Sequence, residues 1–396
     1  MSSRPLNRAA VVGVGSMGHG IAQLLAIAGI GVTAVDVSNE ILTNALQNIR
    51  WSMDKFVEKG KIRKEDGEAA LARLQVSTNV DEGFTDADLI IEAASENLEL
   101  KKTLFARMDR VAPAHAILAS NTSALSITEL GKATGRPDKV VGTHFFNPPQ
   151  LMPLLEIIKG TRTSESTVSF AFDLAKRLNK TSILVKKDVM GFVVNRVLAA
   201  FQNEGFWVVE RKEATKYEVD AATIKAGFPS GVFVLADYVG LDVSLAVAKE
   251  LEEAFGARAK PSPMLEQLVK AGKLGRKSGE GLYSWSTGRP QIPPELATRF
   301  DPNRLYTLAV NSAAWLVYDD VATPADIDTG MKLGTGWVSG PCEYADEIGI
   351  DTVVDNLKEL HRKYPEPMYE TCPLLVEYVV KGWLGKKTSR GFHKYT

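Results

Sequence analysis

The sequence has little of several things that mark particular classes of protein. Only two of its 396 residues are cysteines, Cys342 and Cys372, too few for a disulfide framework, and its five histidines form no closely spaced pair of metal ligands. Lysine and arginine number 47 and aspartate and glutamate 48, so the net charge of −1 provides no basic field for nucleic acid or an anionic membrane. We therefore expect no metal site and no nucleic-acid or membrane partner.

A long hydrophobic run is also missing. The most apolar stretch, residues 20–35, is interrupted by glycines and by Gln23 below the length that a membrane span needs. The segment Met1–Arg8 is polar and too short for a signal peptide. We expect a cytoplasmic globular protein, and the length allows two or three domains.

What the sequence does contain near its start is a strand, a glycine turn, a helix and a second strand ending on an acid. In the turn, the first glycine allows a tight bend, the second lets a pyrophosphate approach the backbone, and the third lets helix and strand pack closely. The acid can accept hydrogen bonds from the ribose hydroxyls, which favours NAD over NADP. The alternative, a glycine turn in another α/β fold, does not require an acid at this spacing. The predicted cofactor residues are Gly13, Gly15, Ser16, Met17, Gly18 and Asp36.

Short apolar runs and helical patterns alternate up to Val185. A long helix is predicted over 39–59, with Ser38 as its N-cap, and another near 164–179. This alternation predicts a Rossmann-type domain over 1–185, with a largely parallel sheet. The predicted strands are 9–14, 32–35, 74–77, 89–93, 116–119, 140–143, 154–158 and 182–185.

Beyond Lys186 the strand patterns give way to helices, and the chain then repeats itself. Asn303-Arg304 matches Asn195-Arg196, and the ending GWLGKKTSRGFHKY matches GKLGRKSGEGLYSW. One repeat at a spacing of about 108 to 110 residues indicates a duplicated domain rather than a solenoid. We predict two all-α domains, 186–290 and 291–396. The helices predicted in the first are 191–212, 217–226, 242–254 and 262–271.

A dinucleotide site requires a group that transfers a proton, and His144 is a candidate because imidazole titrates near neutrality. It follows a predicted strand, where ligands bind in open α/β sheets. Glu156 is polar within the apolar strand LLEII, and a buried carboxylate needs a partner. The spacing is equally compatible with a structural histidine and a surface glutamate.

Five segments taken together resemble the L-3-hydroxyacyl-CoA dehydrogenase family. They are GVGSMGHGIAQ, IEAASENLELKKTLF, ASNTSALSITE, VGTHFFNPPQLMPLLEII and DVMGFVVNRVL, and the resemblance covers residues 7–290. Residues 303–396 resemble a second copy of the C-terminal domain of that family.

The resemblance implies roles for individual residues. His144 would be the general base with Glu156 as its partner, and Ser123 and Asn195 would bind the reacting oxygen. Further cofactor contacts would come from Glu96, Lys101, Asn147 and Lys277. Ser52, Lys59 and Ser123 would contact the CoA substrate, although the basic residues 59–64 taken alone are typical of a solvated helix end.

The activity implied is NAD-dependent, reversible oxidation of a short-chain L-3-hydroxyacyl-CoA, such as 3-hydroxybutyryl-CoA, in fatty-acid metabolism. Two alternatives stay open: a dehydrogenase of a free hydroxy or sugar acid, and a non-catalytic structural protein, because lens crystallins resemble this family. The second helical copy has no His–Glu domain before it and is expected to be non-catalytic. It is expected to pair with the first as an intramolecular pseudo-dimer, in a monomer or a homodimer.

Overall fold

The computed structural model describes residues 5–396, which form two compact units. The first ends at Asp188 and the second is Val189–Thr396. Within the described residues, no helix is both long and apolar enough to cross a membrane.

The first unit contains an eight-stranded sheet in the order β3-β2-β1-β4-β5-β6-β7-β8. Every neighbouring pair is parallel except β6 and β7, which are antiparallel. The inner strands β4, β5, β6 and β7 are buried along their whole length, as expected for a sheet covered on both faces. The strands are β1 (Arg8–Val12), β2 (Gly31–Val35), β3 (Leu74–Ser77), β4 (Leu89–Glu92), β5 (Ile117–Ser120), β6 (Val140–Phe145), β7 (Leu154–Ile158) and β8 (Thr181–Val185).

Seven α-helices complete the described part of this unit: α1 (Gly18–Ile27), α2 (Asn39–Glu58), α3 (Lys64–Ala72), α4 (Val80–Phe84), α5 (Leu98–Val111), α6 (Ile127–Lys132) and α7 (Glu165–Arg177). Helix α2 begins where the sequence predicted, because the Ser38 side chain accepts a hydrogen bond from the Ile41 N–H. The sequence patterns missed α3 and α4. Both are short, and their few buried side chains leave no clear helical period.

The second unit is all α-helical apart from short 3₁₀ turns and isolated bridges, and the same succession of five α-helices occurs twice. The first set is α8 (Val194–Glu210), α9 (Lys216–Lys225), α10 (Val232–Val239), α11 (Leu241–Phe255) and α12 (Pro263–Lys270). The second set is α13 (Asn303–Tyr318), α14 (Pro324–Thr335), α15 (Pro341–Ile348), α16 (Ile350–Lys363) and α17 (Pro373–Val380). The sequence patterns missed α10, because a short apolar run between two glycines shows no helical period.

Tertiary contacts repeat along with the helices. Asn203 donates from Nδ2 to the carbonyl of Lys260 at 2.9 Å and accepts from the N–H of Ser262 at 3.1 Å. Asn311 makes the same two bonds in the second set, to the carbonyl of Glu370 and from the N–H of Cys372, both at 2.9 Å. The duplication therefore extends from sequence to individual side-chain contacts.

Helices α8 and α13, the first of each set, pack against each other. Four aromatic rings meet there, with centroid distances of 4.8 to 5.8 Å, and they are Phe201, Phe228, Tyr306 and Trp337. Beside them, Arg304 Nε donates to the fully buried Glu204 at 2.6 Å, and Tyr369 Oη donates to the same carboxylate at 2.7 Å. The contact between the two sets thus has an aromatic centre and a buried ion pair.

Candidate active site

The glycine turn after β1 is constrained by the chain at two of its three glycines. Gly13 has φ +83°, and a Cβ there would lie 2.6 Å from the Ala94 nitrogen. A Cβ on Gly18 would lie 1.8 Å from the Gly13 carbonyl oxygen. A Cβ on Gly15 would meet nothing within 4 Å, so no contact within the described protein requires a glycine there. What it provides is open backbone surface, which suits the close approach of a phosphate group.

Asp36 is fixed beside this turn. It follows β2, and its carboxylate accepts hydrogen bonds from the N–H of Val14 at 2.8 Å and of Val37 at 2.7 Å. Ser16 is exposed and Met17 half-buried, directly before the first turn of α1. Open turn, helix N-terminus and adjacent carboxylate together fit the pyrophosphate and ribose of a dinucleotide.

His144 and Glu156 face each other across β6 and β7. They are register partners in the only antiparallel pair of this sheet, so their side chains emerge on the same face. His144 Nδ1 lies 2.6 Å from Glu156 Oε2. His144 is 5% exposed and Glu156 is fully buried. The structure therefore brings together the two residues predicted to act as a pair.

The hydrogen bond to the carboxylate also determines the histidine tautomer. A carboxylate only accepts hydrogen bonds, so Nδ1 carries the proton and Nε2 is the basic nitrogen of the neutral ring. The Phe146 ring packs at 4.7 Å from the imidazole and adds an apolar contact to it. This tautomer leaves Nε2 as the ring nitrogen that can accept a proton.

The segment after β5 is tied to the strand that carries His144. Asn121 Oδ1 accepts from the N–H of Phe145 at 2.9 Å, and Ser123 donates its N–H to Glu96 at 2.9 Å. Strands β5 and β6 are parallel, so their carboxyl ends lie at the same edge of the sheet. Ser123 and His144 therefore belong to one edge, where open α/β sheets bind their ligands.

A residue that the sequence patterns did not single out, Glu92, organises this edge. It ends β4, is fully buried, and accepts from Lys101 Nζ, from Ser120 Oγ at 2.6 Å and from the N–H of Ala94 at 2.7 Å. Its signal was a carboxylate ending the apolar run Leu89–Glu92, the same signal that singled out Glu156.

Lys101 lies deeper than expected for a residue that touches a cofactor. It is 1% exposed, and its ammonium lies 2.6 Å from Glu92 and 3.1 Å from Glu96. Glu96 is 40% exposed and also accepts from the Thr122 hydroxyl. In this arrangement Lys101 orients Glu96, and Glu96 is the member of the pair that presents surface.

The two residues predicted to contact CoA differ in exposure. Ser52 is 5% exposed on the inner face of α2, so its side chain presents almost no surface. Lys59 is exposed and forms the C-cap of the same helix. The charge of Lys59 is therefore accessible to a ligand, whereas the Ser52 hydroxyl is almost completely covered.

The remaining predicted residues belong to both units. Asn147 is exposed in the segment after β6, and Asn195 lies in the first turn of α8, in the second unit. Lys277, also in the second unit, forms an ion pair with Asp242 at 2.5 Å. Lys387 and Asp351 form the equivalent ion pair at 2.5 Å in the second helical set, and a cofactor contact of Lys277 stays a prediction. Across residues 5–396, no group of three His, Cys, Asp or Glu side chains is placed to hold a metal ion.

Comparison with known proteins agrees with this arrangement. Residues 8–189 match the family model "3-hydroxyacyl-CoA dehydrogenase, NAD binding domain". Residues 191–285 and again 300–395 match "3-hydroxyacyl-CoA dehydrogenase, C-terminal domain". The duplicated match coincides with the two helical sets.

Three relatives are similar over most of their length. A probable 3-hydroxybutyryl-CoA dehydrogenase of Bacillus subtilis is 40% identical over 278 residues, which are 69% of this chain and 96% of that protein. The crystal structure of 3-hydroxybutyryl-CoA dehydrogenase from Escherichia coli K12 is 29% identical with a TM-score of 0.90, covering 96% of this chain and 99% of that one. The structure of (S)-3-hydroxybutyryl-CoA dehydrogenase PaaH1 from Ralstonia eutropha is 39% identical with a TM-score of 0.68, covering 71% of this chain and 99% of that one. This chain therefore belongs to the 3-hydroxyacyl-CoA dehydrogenase family of oxidoreductases.

Proposed function

We propose that this protein catalyses the reversible, NAD-dependent oxidation of short-chain L-3-hydroxyacyl-CoA to 3-oxoacyl-CoA. The observation that carries the proposal is the His144–Glu156 pair, with 2.6 Å between Nδ1 and Oε2, at the ligand-binding edge of a sheet that also holds the glycine turn. Glu156 is fully buried and so is not a surface glutamate, and a buried carboxylate held against His144 supports the proposal.

The proposed chemistry divides the removal of two hydrogens between cofactor and protein. When bound, the nicotinamide ring of NAD supplies the acceptor for the hydride on C3. His144 Nε2 takes the hydroxyl proton as the C3–O bond becomes a carbonyl. Glu156 holds the ring in its tautomer and stabilises the imidazolium that results. Ser123 would donate a hydrogen bond to the reacting oxygen, and the same role of Asn195 stays a prediction.

Asp36 supports the choice of NAD. Its carboxylate is held beside the glycine turn, where it would accept from the ribose hydroxyls and repel a 2′-phosphate. Val37 and Ser38 follow it in the chain and offer no cation to receive a phosphate. Glu96 would contact the nicotinamide half of the cofactor, and the ion pair with the buried Lys101 would orient the Glu96 carboxylate.

The names of the three relatives support a short acyl chain, since each is called a 3-hydroxybutyryl-CoA dehydrogenase. Lys59 would contribute a positive charge to the CoA phosphates. A dehydrogenase of a free hydroxy acid would have no CoA phosphates to bind with that charge. One assay tests both alternatives, the free-acid dehydrogenase and the non-catalytic structural protein.

The test measures NADH formation with L-3-hydroxyacyl-CoAs of increasing chain length, with free 3-hydroxybutyrate, and with NAD or NADP. We expect the highest kcat/KM with the four-carbon thioester and NAD. Equal efficiency with the free acid would contradict the CoA assignment. No NADH formation with any thioester would favour the structural, crystallin-like alternative.

We further propose that the second helical set is a non-catalytic partner for the first, in an intramolecular pseudo-dimer of 186–290 with 291–396. The aromatic cluster and the Arg304–Glu204 ion pair between α8 and α13 support this, as does the short tether, which raises the effective concentration of the two sets. Asn303, the counterpart of Asn195, supports the non-catalytic role of the second set. Its side-chain oxygen accepts a hydrogen bond from Tyr344 of the same set.

A chain truncated near Gly288 tests the pseudo-dimer. Without the second set, the apolar face around Phe201 is uncovered, so we expect the truncated chain to dimerise or aggregate in light scattering. Asn303→Ala in the intact chain should leave kcat unchanged. A truncated chain that stays monomeric and fully active would contradict the proposal.

A further inference from the structure

The second unit contains a cavity that the proposed function does not use. It has a volume of about 100 Å³ and lies between α8 and α11 of the first helical set and α13 of the second. We call it the Arg196 cavity. Its apolar lining includes Ala199, Leu251 and Leu308. Among the described residues that line it, Arg196 and Arg258 are the charged ones.

The second helical set has an equivalent position around Arg304, and there side chains of the protein fill the space. There Arg304 donates to Glu204 at 2.6 Å and to Glu213 at 2.7 Å. Tyr369 donates to the other oxygen of Glu204 at 2.7 Å. The guanidinium of Arg304 is thus satisfied by two carboxylates supplied by the first set.

Aligning the two sets shows why the Arg196 cavity is open. Arg196 corresponds to Arg304, and the residues equivalent to Glu204 and Glu213 are Ser312 and Val321. The alignment is fixed by Asn203 and Asn311, which make the same two backbone bonds in each set. Ser312 is in place to face Arg196, because its hydroxyl lies 3.4 Å from the Arg196 carbonyl oxygen.

The two tyrosines near Arg304 are also replaced by smaller or less polar residues in the Arg196 cavity. Phe255 occupies the position of Tyr364, and Ala259 that of Tyr369. Phe255 keeps the ring, which stacks 4.2 Å from the Arg196 guanidinium, but has no hydroxyl. The cavity therefore keeps the arginine and lacks both carboxylates and both phenols that surround its counterpart.

Arg196 is left short of partners. It is 9% exposed, and within residues 5–396 its Nη1 has no hydrogen-bond partner. Asp319 Oδ2 lies 3.9 Å from Nη2, close enough for an ion pair but beyond hydrogen-bonding distance. Burial lowers the pKa of Arg196 to about 10, so the side chain still carries its charge at neutral pH. A buried, charged donor without an acceptor is costly, and an anion in the cavity would remove that cost.

We propose that the Arg196 cavity binds a carboxylate carried by a short apolar chain, which takes the place that Glu204 takes opposite Arg304. Charge selects the carboxylate, and the alanine and leucine lining selects the apolar chain. A cavity of about 150 Å³ holds benzene, so about 100 Å³ suits an acid no larger than butyrate. The carboxylate can belong to a free acid or to the end of a longer acyl group.

Calorimetric titration of the intact protein with butyrate at constant ionic strength tests the site without requiring activity, so its outcome is independent of the proposed function. Butyramide, which has the same shape and no charge, is the matched ligand control. We expect saturable binding of one butyrate per chain and at least tenfold weaker binding of butyramide. Equal binding of the two, or no binding of butyrate, would overturn the proposal.

Variants decide whether the binding occurs in this cavity. Ser312→Glu supplies the missing carboxylate from the chain itself, so it should abolish butyrate binding and raise Tm. Arg196→Met should weaken binding at least tenfold, whereas Lys270→Met, which removes an exposed charge outside the cavity, should leave it unchanged. Butyrate affinity retained in Ser312→Glu would refute the site even if Arg196→Met fails to fold.

Two CoA thioesters distinguish the sources of the carboxylate. One acyl chain ends in a methyl group and the other, of equal length, in a carboxylate. If Ser312→Glu lowers kcat/KM for the second at least tenfold relative to the first, the ligand is the end of an acyl group. If the ratio is unchanged while butyrate binding is lost, the ligand is a free acid. Both results support a carboxylate site.

Discussion

Glu156→Gln should lower kcat about 10³-fold while leaving the fold intact. The glutamine side chain fits the space of the fully buried carboxylate and keeps a hydrogen bond to His144, so the change removes charge alone. An opposite charge at about 4 Å contributes about 4 kcal/mol at an effective dielectric constant near 20. In Glu156→Gln the imidazolium that forms on His144 no longer receives this stabilisation. At about 1.4 kcal/mol per factor of ten, the loss corresponds to about 10³ in rate. The value lies within the usual range for general acid–base catalysis, about 10² to 10⁴.

The assay is steady-state NADH formation from L-3-hydroxybutyryl-CoA, with NAD affinity measured separately by calorimetry. Glu165→Gln is the matched control, because it removes a carboxylate that is 80% exposed, and its kcat should equal that of the parent protein. His144→Gln should be as slow as Glu156→Gln or slower, and the double variant should be no slower than His144→Gln, since the two residues act as one unit.

Two results would contradict the role proposed for the His144–Glu156 pair. If Glu156→Gln keeps kcat within about threefold, the buried pair does not stabilise a charge in the transition state. If the double variant loses the sum of both single effects, the residues act independently. Both conclusions require that Glu156→Gln has the same Tm as the parent protein, because an unchanged Tm shows that the rate did not change through a loss of stability.

Four further predictions follow from the structure. The parent protein should prefer NAD over NADP at least about tenfold in kcat/KM, and Asp36→Ala should reduce that ratio, because the carboxylate beside the turn no longer repels the 2′-phosphate. Lys59→Ala should raise KM for the acyl-CoA and leave KM for NAD unchanged in the same assay, and an unchanged acyl-CoA KM would return Lys59 to a solvated helix end. Arg304→Met leaves Glu204 buried without its cation and should cost about 3–5 kcal/mol in urea unfolding followed by tryptophan fluorescence; a loss below about 1 kcal/mol would contradict it. Burial opposes ionisation of Glu213, but hydrogen bonds from cationic and phenolic neighbours outweigh it and lower its pKa to about 2; the stabilisation is present above the unfolded pKa near 4.5 and is lost as pH falls towards 2, so Glu213→Gln should show a smaller loss of unfolding free energy between about pH 5 and pH 3 than the parent.

The strands and the cofactor turn could be predicted from the sequence, because these features are local. An apolar run of four to six residues that must be covered on both faces can be read without knowing its neighbours. The glycine turn is local as well, since Gly13 and Gly18 approach each other within one strand–helix connection. The repeat is visible because duplication copies residues in order, and the two family matches over 191–285 and 300–395 agree with it.

Which polar residues meet could not be predicted, because it depends on how distant segments pack. His144 and Glu156 are partners because β7 runs antiparallel to β6, and the spacing in sequence was equally compatible with a structural histidine and a surface glutamate. Glu92 carries the same sequence signal as Glu156, but the groups that satisfy it could not be predicted, because Ser120 and Lys101 come from a different strand and a helix.

The difference between the two arginines of the helical sets has the same origin. Arg196 and Arg304 lie in matching sequences, and their environments diverge because the residues that surround them differ, both those of the opposite set and those of their own. Sequence determines what a residue is and the local structure it favours. Burial, partners and empty space depend on which distant segment packs against it, and that is decided only when the chain has folded.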